Sequence, residues 1–282
     1  YWDWICRWKG EHELRKLEVY IEEDGDFVLA GHIQGETWED ARFIYEKSYL
    51  ENQSHQPISI SLPFQEDAFS PFETRCYFEG LLPEGYTRRC VAGWMHVAEE
   101  DYLSVLAGLG NECLGAVRIC EPGAGGCSPS YKKISREELQ EFAKEGASKS
   151  AQFLAKAHLS LTGASGKTGL YYDNKDGWYM PFGTAPSTHI VKQSHVRLSG
   201  IVANEQLCLR TAKILGIDVP ESFIISVGTG EHILFATKRF DRLMQEDSRV
   251  IDGKKVPFRL QQEDFAQALG VPASQKYEKI GD

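Results

Sequence analysis

The sequence predicts an α+β fold in which a small N-terminal subdomain is followed by a second, larger domain. Residues 17–120 alternate short strand patterns with capped helix patterns. The run Glu121-Pro122-Gly123-Ala124-Gly125-Gly126 then interrupts these patterns, as a linker does. The second part of the chain combines strand patterns with a glycine-containing flap, and the flap is followed by a strand that ends on a single lysine.

Composition narrows the class of protein. Of the 282 residues, 42% are hydrophobic and 26% are charged, as in soluble globular proteins. The net charge of −10 argues against a broad nucleic-acid-binding face, and no apolar run is long enough to span a bilayer. The seven cysteines are odd in number and form no CxxC pair, so we expect reduced thiols, a cytoplasmic protein and no metal site.

The first residues are expected to form a poorly ordered extension. Residues 1–16 hold three of the six tryptophans, and the charges of Asp3, Arg7 and Lys9 interrupt them, so this is not a signal peptide. The chain begins at Tyr1 rather than at a methionine, which indicates either a fragment or sequence upstream of the natural start.

Strand patterns open the N-terminal subdomain. Residues 17–21 and 27–33 alternate apolar and polar side chains around Asp24-Gly25, which predicts a hairpin with a tight turn. Residues 43–45 and 58–62 are expected to add further strands to the same small sheet.

Helix signals follow these strands. Ser70, Pro71 and Glu73 combine an N-cap, a first-turn proline and a capping box, so a helix is expected to begin there. Further helices are expected at 86–95 and 99–107, with a strand at 114–119. After the linker at 121–130, Ser135 and Glu138 form a second capping box that opens a helix to about residue 144.

The flap lies between two apolar runs. Residues 159–161 alternate as a strand does, the run Thr162-Gly163-Ala164-Ser165-Gly166 turns the chain, and residues 170–172 predict a returning strand. Glycines let backbone N–H groups approach a ligand and form an anion nest. After a turn at Asp176-Gly177, a strand at 188–192 ends on Lys192. A flap followed by such a lysine is typical of the way kinase N-lobes hold nucleotide phosphates.

Two other interpretations of the flap were weighed. Gly166-Lys167-Thr168 has the ending of a Walker loop, but that motif needs a glycine where Leu161 stands, and no long helix follows. A polar hairpin loop without a ligand explains the same residues equally well.

The remaining patterns complete the second domain. Residues 204–215 predict an amphipathic helix with Leu207, Thr211, Ile214 and Leu215 along one side. Glu205, in its first turn, either pairs with the strand lysine or is only a carboxylate favoured by the helix dipole. A hairpin is expected at 223–227 and 233–240, a second one at Asp252-Gly253, and a short helix at 263–269.

With these elements placed, the chain resembles the HipA family of bacterial serine/threonine kinases, the toxins of type II toxin–antitoxin systems. The resemblance extends from about residue 17 to the end, and its motifs are specific only when taken together and in order. They are FEGLLPEG at 78–85, the flap at 159–170, and the stretches 187–192, 237–242 and 262–270.

This resemblance implies a small α/β subdomain at 17–120 and a kinase-like N-lobe, related to phosphoinositide kinases, at 131–260. Residues 261–282 would begin a C-lobe that is mostly missing. The cofactors implied are ATP and Mg²⁺, the substrate is an aminoacyl-tRNA synthetase, and the partner is a small helix-turn-helix antitoxin that provides the only link to DNA. The alternative is a non-catalytic module that binds an antitoxin or a full-length toxin.

The resemblance also implies roles for individual residues. Lys192 would contact the ATP phosphates, and Ser160 would be the autophosphorylated serine whose modification ejects the loop and switches the kinase off. The phosphate loop would consist of Thr162, Gly163, Ala164, Ser165, Gly166 and Lys167. The adenine hinge would consist of Lys238, Arg239 and Phe240.

Two departures from the family pattern matter. The family usually has longer side chains where this loop has Ser165-Gly166. The catalytic aspartate and both magnesium ligands of the family would lie beyond Asp282, so no catalytic residue and no metal ligand is expected within the chain. Asp241 and Asp264 carry no signal that marks them as replacements, and the chain is therefore expected to be a catalytically incomplete fragment.

Overall fold

The computed structural model describes residues 14–124, 128–145, 147–163, 166–194, 198, 200–228 and 232–277. No helix in these parts is both long and apolar enough to cross a membrane. The strands are β1 Arg15–Glu23, β2 Asp26–Gly35, β3 Arg42–Tyr45, β4 Val117–Cys120, β5 Ser130–Lys133, β6 Lys167–Asp173, β7 Gly177–Phe182, β8 His189–Gln193, β9 Ser222–Val227, β10 His232–Lys238, β11 Arg242–Leu243, β12 Val250–Ile251, β13 Lys254–Lys255 and β14 Phe258–Arg259. The helices are α1 Lys47–Leu50, α2 Pro71–Gly80, α3 Gly85–Met95, α4 Tyr102–Leu109, α5 Arg136–Glu145, α6 Ala147–Ala157, α7 Ile201–Ile214 and α8 Phe265–Ala268.

The N-terminal sheet has four strands in the order β3-β2-β1-β4. Its first hairpin turns at Asp24 (φ 49°) and Gly25 (φ 89°), the two positive φ values that the tight turn requires, so the predicted hairpin is confirmed. The sheet begins earlier than expected, because Arg15 and Lys16 belong to β1. The rest of the predicted extension, residues 1–13, lies outside the described residues.

The expected strand at 58–62 is wrong. These residues form a turn that is closed by a single bridge between Ser59 and Leu62. The helix that follows is as predicted, because the Ser70 hydroxyl accepts a hydrogen bond from the Glu73 N–H and the Glu73 carboxylate accepts one from the Ser70 N–H. This reciprocal pair satisfies two N–H groups that the first helical turn leaves free.

The second sheet has six strands in the order β5-β7-β6-β8-β10-β9. The hairpins β6–β7 and β9–β10 form as expected. Helix α6 was not predicted, and it buries Phe153 and Leu154 in the core. Because α6 leads directly into residues 158–163, the first arm of the predicted flap is a connection leaving a helix, and not a strand.

Helix α7 corrects another expectation. It buries Val202 and Gln206, whereas Leu207, Ile214 and Leu215, on the side that the pattern assigned to the core, are 63%, 85% and 72% exposed. The helix therefore packs on the sheet through a narrow stripe at its N-terminal half. Periodicity detects an apolar side, but it does not determine which side of a helix the neighbouring strands cover.

A buried charge cluster, made of Glu112, Arg239, Asp241 and Arg242, joins distant parts of the chain. The Arg239 guanidinium donates to the Asp241 carboxylate at 2.6 and 2.9 Å, and Arg242 donates to Asp241 at 2.9 Å and to Glu112 at 3.1 Å. The Glu112 carboxylate also accepts a hydrogen bond from the Ser187 N–H at 2.7 Å. Residues 112–115, which lead from α4 to β4, are thereby tied to the segment after β10.

The ionisation of the buried charge cluster follows from its pairing. Burial alone would raise the pKa of Asp241, but Arg239 and Arg242 hold it well below its ordinary value. Burial lowers the pKa of Arg242 to about 10, which leaves it charged at neutral pH. A second buried pair, Glu22 with Arg259 at 2.5 Å, links β1 to β14.

We expect Glu112→Ala to lower the free energy of unfolding by about 3–5 kcal/mol, because it removes a carboxylate that both buried guanidinium groups contact. Urea unfolding followed by circular dichroism measures the change. Glu51→Ala, which breaks an exposed pair with Lys47, is the control and should cost no more than about 1 kcal/mol. Equal losses in the two variants would contradict the importance of the cluster.

Candidate functional site

Two lysines lie side by side on one face of the second sheet. Lys167 and Lys192 are direct partners across the antiparallel pair β6–β8, so their side chains leave the sheet on the same side. The Lys192 ammonium lies 2.5 Å from the Glu205 carboxylate and 5.7 Å from the centre of the Phe235 ring. Of the two roles left open for Glu205, the structure shows the ion pair.

The Lys167 ammonium lies in an unfavourable environment. Burial is the main cause that lowers its pKa, to about 8, and the positive charge of Lys192 adds to the effect. Two lysines that stand opposite each other on one face of the sheet favour the binding of an anion, since a bound anion would relieve the repulsion between their charges. This pair is therefore the centre of the candidate site.

The loop before Lys167 approaches it closely. Gly163 has φ +97°, which strains any other residue, and a Cβ at this position would lie 2.6 Å from the Lys167 Nζ, so the lysine would have to shift. The Gly163 carbonyl accepts a hydrogen bond from the Glu84 N–H at 3.3 Å. The Gly166 carbonyl accepts one from the Gln193 N–H at 3.2 Å. Ala164 and Ser165 of the predicted phosphate loop lie outside the described residues.

Ser160 is fully buried beside this loop. Its hydroxyl donates a hydrogen bond to the Leu81 carbonyl at 2.7 Å, and its N–H donates to the Glu112 carbonyl at 2.8 Å. In this arrangement its hydroxyl is not accessible to a phosphate donor, so any modification of Ser160 requires residues 159–163 to move.

The three residues assigned to the adenine hinge do not lie together. Lys238 pairs with His189 and Phe235 pairs with Lys192, so alternation along β10 places Lys238 on the face away from Lys192. There it lines a cavity of about 240 Å³ beside His189, whose pKa is lowered to about 4 by burial and by Lys238.

Arg239 and Phe240 differ strongly in their exposure to solvent. The Arg239 side chain is fully enclosed in the buried charge cluster, which corrects the expectation that it lines the adenine hinge. The ring of Phe240 is 74% exposed. Sequence analysis missed this, because Arg239 contacts not only the neighbouring Asp241 but also residues 112 and 187, which are distant along the chain.

Two further residues at the site were not predicted. Thr162 donates a hydrogen bond to the Glu84 carboxylate at 3.1 Å, and Lys276 contacts that carboxylate at 2.9 Å. Glu84 belongs to a stretch that carries the family resemblance, which was the one signal that could have identified it. Lys276 lies 114 residues from Thr162, a separation that no local pattern encodes.

Comparisons with known proteins cover both parts of the chain. Residues 17–120 match the HipA N-terminal domain and residues 159–282 match the HipA-like C-terminal domain. A chain in the solved complex of the Shewanella oneidensis MR-1 toxin–antitoxin system HipA, HipB and its operator DNA has the same fold, with a TM-score of 0.68. That match has 24% sequence identity and covers 93% of this chain and 58% of the other.

Curated relatives agree with the domain matches. The putative kinase Y4mE of Sinorhizobium fredii is 31% identical over 95% of this chain and 62% of its own length. The serine/threonine-protein kinase toxin HipA of Shewanella oneidensis is 28% identical over 93% of this chain and 57% of its own length.

The matches bear on the predicted truncation. The chain spans 57–62% of the length of these two relatives. The match to the HipA-like C-terminal domain nevertheless runs to residue 282, which contradicts the prediction that the chain is truncated before its catalytic loop. With a HipA N-terminal domain, a HipA-like C-terminal domain and relatives along nearly its whole length, the chain belongs to the HipA family.

Proposed function

We propose that this chain carries the nucleotide-binding part of a HipA-type serine/threonine kinase. The observation that carries the proposal is the pair Lys167 and Lys192, which meet on one face of the sheet beside the loop at 162–163. Glu205 orients Lys192 through its ion pair, as a helix glutamate orients the strand lysine in protein kinases. Two relatives that are named as kinases support this choice.

The residues of the site fit the phosphates of ATP. Lys167 and Lys192 would neutralise phosphate charge, and Gly163 leaves room for the backbone to approach it. When bound, ATP supplies the γ-phosphoryl group for transfer to a hydroxyl. Magnesium would reach the site on the phosphates of ATP, since proteins hold this ion through one or two carboxylates together with substrate phosphates and water.

The domain boundaries belong to the same proposal. Residues 17–120 form the N-terminal subdomain, 121–130 the linker, 131–260 the kinase-like N-lobe and 261–282 the beginning of the C-lobe. The six-stranded sheet, which begins with β5 at Ser130, and the ion pair that α7 makes with β8 support the placement of the N-lobe.

In the whole gene product, this kinase would act as the toxin of a toxin–antitoxin module. Its partner would be a small helix-turn-helix antitoxin, and its substrate an aminoacyl-tRNA synthetase. The support is the name of the Shewanella relative and the solved complex of HipA with HipB and DNA. Incubation of the whole gene product with a purified synthetase and labelled ATP tests the substrate, and a synthetase that acquires no label would contradict it.

Autophosphorylation of Ser160 would regulate the same site. Its buried hydroxyl would leave the hydrogen bond to Leu81 when the loop moves. A phosphate adds about −1.5 to −2 charges, which the interior between α6 and the α2–α3 connection does not accommodate without a counter-charge. A modified loop would therefore stay displaced from the lysines.

A second candidate function is a binding module without catalysis, which would bind an antitoxin or a full-length toxin. One comparison favours it: a segment of 97 residues, 34% of this chain, accounts for 91% of an uncharacterized protein of Haemophilus influenzae. A domain-sized part of this chain thus has a relative that stands alone. Calorimetry with ATP and Mg²⁺ discriminates the two functions, since only the first requires nucleotide binding.

We expect Lys192→Met to weaken the binding of ATP with Mg²⁺ by at least about tenfold, the equivalent of ~1.4 kcal/mol, because a charged contact to phosphate is lost. Isothermal titration calorimetry gives the affinity. The matched control is Lys156→Met, which removes an exposed lysine on α6 and should leave the affinity unchanged. Equal affinities of the Lys192 variant and the unaltered chain would rule out this site.

The affinity for ATP should also fall as pH rises. Lys167 is charged below about pH 8 and loses its proton above it. A bound phosphate favours the charged form and raises the pKa of Lys167, so binding takes up a proton and weakens by up to about tenfold per pH unit above that value. Titrations at several pH values check this, and Lys167→Met should abolish the dependence. Affinity that stays constant or rises with pH would contradict it.

A further inference from the structure

Lys276 connects the phosphate loop to the end of the described chain. It follows the 3-10 turn Ala273–Gln275, and its ammonium lies 2.7 Å from Asp264 Oδ2, 2.9 Å from Glu84 Oε1 and 3.3 Å from Thr162 Oγ1. The ammonium donates hydrogen bonds to the Glu84 carboxylate and the Thr162 hydroxyl, and it forms an ion pair with Asp264. The side chain is only 17% exposed, so the contacts are partly shielded from water.

The contacts of Lys276 meet at the place where the loop is fastened to the N-terminal helices. The Thr162 hydroxyl donates to Glu84 at 3.1 Å, the Glu84 N–H donates to the Gly163 carbonyl at 3.3 Å, and Gly163 forms a parallel bridge with Pro83. Glu84 therefore contacts the loop through both its backbone and its side chain. Lys276 is the cation that neutralises this carboxylate.

Charge explains why this lysine matters. Glu84 and Asp264 both contact the same ammonium, so its removal would leave two partly buried carboxylates without their shared counter-ion. Burial alone would lower the pKa of Lys276, but its hydrogen bonds to Asp264 and Glu84 raise it. The residue therefore stays charged throughout the neutral range, and the contact is permanent rather than switched by pH.

We propose that Lys276 is a positioning residue for the phosphate loop: through Glu84 and Thr162 it holds residues 162–163 against the α2–α3 connection, and so fixes Gly163 beside Lys167. It acts without touching the nucleotide. A loop that is already fixed loses less conformational entropy on binding the nucleotide than a free loop does, so binding is stronger. The inference deepens the proposed nucleotide function and rests on it.

The test uses the whole chain with two substitutions at this position. Lys276→Met removes the charge and should increase hydrogen–deuterium exchange of the backbone amides at 158–163 without nucleotide. It should also weaken ATP binding by about tenfold, the size expected for the loss of a charged hydrogen bond. Lys276→Arg keeps the charge and should restore most of both properties. The matched control is Lys149→Met, which breaks a 2.7 Å pair with Glu141 at a lysine that is 14% exposed.

The outcomes separate this inference from the proposed function. If Lys276→Met leaves exchange and ATP affinity unchanged, or if exchange rises equally over the whole chain, the positioning role is overturned. Lys276→Arg covers the case in which the methionine variant fails to fold. If Lys276→Arg loses ATP affinity while its exchange at 158–163 stays normal, the positioning role is also overturned. If the unaltered chain binds no ATP but Lys276→Met increases exchange at 158–163, the proposed nucleotide function is wrong, while the role of Lys276 in holding the loop is supported.

Discussion

The structure depends on the mutual neutralisation of four charges that are withdrawn from water. Arg239 and Arg242 each contact both Glu112 and Asp241, and all four side chains are almost fully buried. Removing charges from water costs several kcal/mol each unless every one finds a partner. The connection that precedes β4 and the segment that follows β10 therefore have to meet in one geometry. Among the described residues, one hydrophobic core has members from both sheets.

The same constraint places the candidate site. The Arg239 N–H donates to the Thr188 carbonyl at 2.9 Å, so the end of β10 is fixed against the beginning of β8. The pairing of β8 with β6 then brings Lys192 opposite Lys167. The loop is held from its other side by residues 81–84 of the N-terminal part. The second sheet thus places the two lysines, and the N-terminal part of the chain holds the loop beside them.

Local signals were the part of the fold that sequence analysis could predict. The capping boxes at Ser70 and Ser135 and the turn at Asp24-Gly25 act over three or four residues, and they formed as expected. Lys167 and Lys192 were predicted from a glycine loop and a strand lysine that follow each other along the chain, and their role stays a prediction. Partners that are distant in sequence were missed. Arg239 was predicted to bind the ligand, because no local pattern indicates its contact with the distant Glu112. Lys276 was overlooked because its contacts with Glu84 and Thr162 are equally distant in sequence.

The burial of Ser160 has a kinetic consequence. Its hydroxyl is enclosed and its N–H is bonded to the Glu112 carbonyl, whose side chain belongs to the buried charge cluster. The proposed autophosphorylation would have to wait until the segment opens, so its rate would be the rate of the open form multiplied by the open fraction. Substitutions that do not contact Ser160 could therefore change how long it stays unphosphorylated, because the packing of this segment would set how often it opens.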